Sequence, residues 1–221
     1  MKSKNMKKYI VLIGILFLFP LTWVIVFGVM GKHHFNTLLY FDKTHLEGSS
    51  DSLSHTLMPF EAFDEQNQSF TLDSMKGKVW LACFYSLGDE HIAKITERLL
   101  NVNFKYRDEP DIGILVFSTH PEADSLERVQ AYLAGLTKYN LNQEKWKYLR
   151  MDSLTMKQVQ QEGFFIQDLS NEALYRLVDT HGHVRGLYGN TEYHMQSIIE
   201  DIALLKKEMD LKKFEKKHAN Q

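Results

Sequence analysis

The chain of 221 residues is 44% hydrophobic and 24% charged, which suits one ordinary domain with appendages and excludes a disordered polymer. Its formal net charge of −2 hides an asymmetry. Lys2, Lys4, Lys7 and Lys8 lie ahead of every acid, so the remainder is mildly acidic and offers no broad footprint for nucleic acid. A single cysteine, Cys83, excludes both a disulfide framework and a dithiol–disulfide cycle within the chain.

In chain order, residues 1–8 read as a basic cytoplasmic tail. Residues 9–30, YIVLIGILFLFPLTWVIVFGVM, carry no charge, and a helix of that length spans roughly 33 Å, enough to cross a bilayer core. No small-residue cleavage motif is evident at its end, so an uncleaved, single N-terminal transmembrane helix is expected. The lysines before it place the N-terminus in the cytoplasm and the rest on the periplasmic side of a bacterial inner membrane. Residues 31–57 read as a tether with a polar cluster at Glu47–Ser52. A folded domain is expected over 58–210, followed by a basic tail, 211–221, that reads as a solvated helix end.

Within the domain, Phe60–Leu72 reads as a short hairpin around Asp64–Asn67, and Met75–Lys78 as a turn into a strand from Val79 to about Ser86. Ile92, Ile95, Leu99 and Val102 mark one face of a helix. Ile112–Ser118 is a second near-continuous apolar run, and two such runs predict interior strands with helices over both faces. A helix from Ser125, a strand over 146–151 and a helix over 153–162 follow. Leu174–Val178 and Val184–Tyr188 form a hairpin around Asp179–Gly182. The last helix carries Ile198, Ile202, Leu205 and Met209. This order is α/β: a thioredoxin-like fold with an N-terminal β-hairpin extension.

Sites in open α/β sheets form at the carboxyl ends of strands. Here those ends are Gly88-Asp89-Glu90-His91 and Ser118–Asp124. No nucleophile elbow, phosphate-binding glycine loop or zinc-protease motif is present, so no catalytic residue and no enzyme activity are assigned. Asp89 reads as an N-cap of a helix beginning near Glu90. Its alternative is a metal ligand, with His91 and His120 (and Glu90 and Glu122 nearby), in an oxygen/nitrogen site for zinc or copper(II). Cys83, inside an apolar strand, reads as a small buried hydrophobe; a single-cysteine thiol protein is the alternative. His181 and His183, beside a hairpin turn, read as solvated.

The stretches GKHHFNTLLYF, DEQNQSFTLDSMKGKV, STHPEADSLERVQAYL, KWKYLRMDS and LVDTHGHVRGLYGN, in this order and spacing, resemble the SCO/SenC family of membrane-anchored thioredoxin-fold proteins concerned with copper delivery to cytochrome oxidase. The resemblance runs from about residue 31 to 207. It implies a place in oxidase assembly, with oxidase subunits or an intact SCO paralogue as partners. It also implies family thiols at Asp89 and Ala93, a copper-ligating histidine at Asn171 and a loop aspartate at His120. None of these positions carries the family residue. Copper(I) favours thiolates, so no metal is expected at Asp89, Ala93 and Asn171 and no cofactor is assigned; copper or zinc at a histidine/carboxylate site is the alternative. The resemblance with those losses implies a non-redox accessory or binding factor.

Overall fold

The computed structural model describes residues 22, 37–44, 47–50, 55–167 and 174–219. The chain divides into two units, Met1–Asn36 and Thr37–Gln221, and the fold is that of the second. The apolar segment 9–30 lies outside the described residues apart from Thr22. Among the described residues no helix is long and apolar enough to cross a membrane.

Strands β1 (Glu61–Phe63) and β2 (Ser69–Thr71) pair antiparallel, with Ala62 opposite Phe70. Their turn is closed by Asp64, whose carboxylate accepts from the backbone N–H groups of Gln66 and Gln68 at 2.9 Å, and by Asn67 at φ 59°, a left-handed position that asparagine tolerates well. Gly77, at φ 78°, supplies the second such turn. From it runs β3 (Val79–Tyr85), followed by α1 (Ile92–Lys105), β4 (Ile112–Ser118), α2 (Leu126–Leu136) and β5 (Trp146–Leu149). Helix α3 (Ser153–Gln158), β6 (Tyr175–Val178), β7 (Val184–Tyr188) and α4 (Glu192–Ala219) complete the chain.

The main sheet has the order β5-β4-β3-β6-β7. β3 is parallel to β4, and β4 to β5, while β6 is antiparallel to both of its neighbours, β3 and β7. Every residue of β3 and β4 is buried, as their unbroken apolar runs require. Alternation along β3 divides the core in two. Val79, Leu81, Cys83 and Tyr85 face a cluster with Ile95, Leu99 and Val102 of α1, Val129 and Leu133 of α2, and Ile198, Ile202 and Leu205 of α4. Trp80, Ala82 and Phe84 face Phe60, Phe70, Met156 and Phe164.

This second face departs from the expectation of helices on both sides. The β1–β2 hairpin, the short α3 and the segment after it cover it, because large aromatics fill the space a long helix would take. Phe84 stacks on Phe117 at 4.9 Å between centroids, and Phe60 and Phe164 meet Phe117 edge-on, each at 5.5 Å. The hairpin is pinned to the outer strand. Phe63 and Arg150 exchange two backbone hydrogen bonds of 2.8 Å. The buried Glu65 accepts from Tyr148 N–H at 3.1 Å and pairs with Lys147 at 2.8 Å. An open sheet edge is thereby covered.

Three boundaries shift. The helix expected over 153–162 is α3, capped by Asp152, and then a π-helical turn, Val159–Gly163. In the tether, Tyr40 and Ser49 exchange backbone bonds of 2.8 Å, Phe41 N–H reaches Val184 at 3.0 Å and Leu57 N–H reaches Gly182 at 2.9 Å. Its described part is therefore laid on the domain, through backbone groups that carry no sequence signal. The basic tail continues α4 as far as Ala219.

Replacing Phe117 with Ala removes the ring that all three aromatic neighbours share. Urea unfolding is expected to register a loss of about 3–5 kcal/mol, far more than for a substitution at the exposed Phe104.

Candidate functional site

The carboxyl ends of the parallel strands β3, β4 and β5 converge on one carboxylate. Asp124 is fully buried. Its Oδ1 accepts from Ser86 Oγ and from Leu87 N–H, both at 3.0 Å. Its Oδ2 accepts from Ser118 Oγ at 2.6 Å and Tyr148 Oη at 2.8 Å. Around this group lies a lattice of hydroxyls: Tyr132 Oη sits 2.7 Å from Thr96 Oγ1 and 3.2 Å from Tyr85 Oη. Burial raises the phenols of Tyr85, Tyr132 and Tyr148 above the ordinary range, and the Asp124 charge adds to the rise at Tyr148. These phenols are fixed donors and acceptors, not acids. In sequence Asp124 is one aspartate of the polar loop Ser118–Asp124, with no local pattern to mark it.

The loop that follows β3 carries Asp89. Its Oδ1 accepts from His91 N–H at 2.8 Å, and its carbonyl accepts from Ile92 N–H at 3.1 Å. The helix starts at Ile92, two residues later than expected, and the N-cap position belongs to His91, whose side chain makes no capping bond. Asp89 therefore closes a turn ahead of the helix instead of capping the helix itself.

Asp89, His91 and His120 are not brought together. His91 pairs with Glu90 at 3.3 Å, His120 lies against Thr119 Oγ1 at 3.2 Å, and Glu122 is bonded to Ser153. Ala93 is exposed on the first turn of α1, and Asn171 lies outside the described residues. Cys83 is wholly buried, and its thiol is pushed well above its ordinary range, first by burial and further by the Asp89 charge. Such a thiol is not ionised and not accessible, the opposite of a reactive cysteine.

Among the described residues, the group of three metal-type side chains whose ligand atoms lie within 4.8 Å of one another is Asp179, His181 and His183. It sits in the β6–β7 turn. His183 is half-buried and bonded, not solvated as its sequence position suggested. Asp179 is held below the ordinary carboxylate range: burial opposes this, but hydrogen bonds from the His183 and His181 N–H groups and the neighbouring His183 and Arg185 outweigh it.

No family model matches the chain. It is 30% identical over 101 residues to the SCO1 protein homolog of Bacillus subtilis. That match takes in 45% of this chain and 51% of the other, so the chain spans about half the length of the curated relative it matches. The structure also matches BsSco, a member of the Sco family of cytochrome c oxidase assembly proteins in which a disulfide switch was identified. The TM-score is 0.59 and the identity 25%, over 70% of this chain and 95% of that one. In sequence and in fold the chain is similar to members of the SCO/SenC family. Yeast Sco1 with copper bound shares the SCO/SenC fold at a TM-score of 0.55 and 16% identity, over 69% of this chain and 92% of that one.

Two outcomes are expected of this pole of the sheet. Asp124→Ala leaves four donors without an acceptor and should cost about 3 kcal/mol or more in urea unfolding, with Asp124→Asn costing less because an oxygen remains. In native protein Cys83 should resist an aromatic disulfide reagent and react stoichiometrically only after denaturation; rapid labelling of the folded chain would refute its burial.

Proposed function

We propose that this SCO/SenC-like chain is a membrane-anchored, non-redox binding factor in the assembly of a respiratory cytochrome oxidase. The observation that carries this reading is the thiol inventory. The one cysteine is sealed inside β3, and the positions that the resemblance assigns to thiols hold Asp89 and Ala93. A disulfide switch such as that identified in BsSco needs two thiols. Copper(I) is soft and prefers sulfur donors, whereas Asp89 offers hard oxygens and Ala93 nothing. The likeness to oxidase assembly proteins supports the pathway, and loss of the donors supports a role through protein contacts, without enzyme activity. The uncharged segment 9–30 and the lysines before it support an inner-membrane anchor with the folded domain on the periplasmic side.

Partners of this reading are oxidase subunits or a cysteine-bearing SCO paralogue. The full chain, cross-linked in native membranes and purified in detergent, is expected to recover one of them, and Cys83→Ala should recover it equally well. Recovery of neither, from membranes that contain the oxidase, would overturn the reading; so would dependence on Cys83 in a variant that remains folded.

A further inference from the structure

We propose that the β6–β7 turn is a binding site for a divalent first-row transition-metal cation, held by Asp179, His181 and His183. This site lies away from the pole described above. β6 is antiparallel to β3, with Tyr175 opposite Cys83 and Val178 opposite Trp80. The turn after Val178 is therefore at the end where β3 begins, and Thr180 accepts from Gly77 N–H there at 3.1 Å. A metal at the turn is independent of the role in oxidase assembly.

The turn is built to converge the two imidazoles. Asp179 Oδ1 accepts from the backbone N–H of His181 at 2.9 Å and of His183 at 3.0 Å, and Gly182 N–H returns to the Asp179 carbonyl at 3.1 Å. Gly182 has φ 86°, the left-handed geometry that glycine adopts without strain. The two rings come to 6.1 Å between centroids, inclined by 34°.

Each ring is also oriented through Nδ1. In His183 this atom lies 3.3 Å from both Asp179 oxygens, and the ring meets Tyr40 edge-on at 5.4 Å. In His181 it lies 3.0 Å from Thr180 Oγ1. A neutral imidazole has one lone pair for a metal, and the His183 nitrogen beside Asp179 is Nδ1, so an ion shared with Asp179 takes His183 through that atom in place of the hydrogen bond.

The donor set selects the cation class. Two imidazoles and a carboxylate suit zinc or copper(II); they are too soft and too few for calcium, and lack the sulfur that copper(I) prefers. The burial is graded, from buried Asp179 through half-buried His183 to exposed His181, which leaves solvent access on one side. Ligand atoms within 4.8 Å of one another must close to about 3.3 Å for bonds of roughly 2.0–2.1 Å in a tetrahedral site. The exposed His181 ring is free to make that movement.

Neighbouring charges oppose tight binding. Arg185 donates to Asp179 at 3.1 Å and pairs with Glu208 at 3.4 Å, and Lys212 pairs with Glu208 at 2.8 Å. These two cations balance the two carboxylates, so an entering metal ion must share Asp179 with a guanidinium. Removing Lys212, the more exposed cation, should tighten binding.

The full chain in detergent is titrated calorimetrically at neutral pH with zinc chloride and, separately, copper(II) chloride. One saturable equivalent is expected. His181→Gln should weaken it at least ~10-fold while leaving the thermal melt unchanged, because the side chain is exposed. His183→Gln should weaken it to a similar degree. His91→Gln and His120→Gln should leave it intact, as should replacement of His33 and His34 together. Lys212→Ala should strengthen it. Absence of saturable binding, or wild-type affinity in His181→Gln, would overturn the proposal. If His183→Gln fails to fold, His181→Gln alone decides. Response to one cation and not the other identifies the metal within the proposed class.

Discussion

A buried carboxylate is tolerable only when its lone pairs are filled, and Asp124 imposes that condition on the whole carboxyl-end pole of the sheet. Its four donors come from the end of β3, the loop after it, the end of β4 and the middle of β5. A register slip of one residue in any of these strands would point a donor to the opposite face. The requirement therefore extends outward: it sets the exit of the loop from Ser86, and through that loop the turn at Asp89 and the start of α1. It also draws Tyr148 inward, beside the Glu65 contact that fastens the hairpin lid.

On this frame an SCO/SenC-like fold stands with Asp89 and Ala93 at the positions that the resemblance assigns to thiols. Fold and chemistry are separable because they rest on different atoms. Packing of β3 needs Val79, Leu81, Cys83 and Tyr85 to be apolar on one face, and the turn needs an acceptor at Asp89 for His91 N–H. Neither needs sulfur at the helix start. A carboxylate meets the local hydrogen-bonding demand there with no redox consequence, while the remaining cysteine lies on the core side of a strand whose alternation keeps it from the surface.

The two poles of the sheet differ for a topological reason. β3, β4 and β5 end together because they are parallel, which collects their loops around Asp124. β6 runs opposite to β3, so its turn into β7 lies at the other end of the sheet. Arg185 joins that turn to the segment before the domain, donating to Asp179, to the carbonyls of Leu38 and Leu39, and lying 3.9 Å over the Tyr40 ring. What reads as a linker in sequence is held here by a buried guanidinium.

The sequence by itself determined the element order and the identity of the interior strands, since Val79–Tyr85 and Ile112–Ser118 are apolar without interruption and the helices repeat at 3.6 residues. It also determined that no internal dithiol can form, which is a matter of counting. The tertiary structure decided what covers each face, because ring packing among Phe60, Phe84, Phe117 and Phe164 depends on segments far apart in the chain. It decided which polar residues meet. Asp124 gathers donors from three strands, and Asp89, His91 and His120 stay apart although each sits near a strand end. Asp179, His181 and His183 converge because a left-handed glycine and two backbone bonds to one carboxylate fold the turn over, whereas spacing alone made them two solvated histidines. Nearness in sequence constrains only local backbone geometry; convergence of side chains depends on strand direction, register and burial, and those exist only once the sheet has formed.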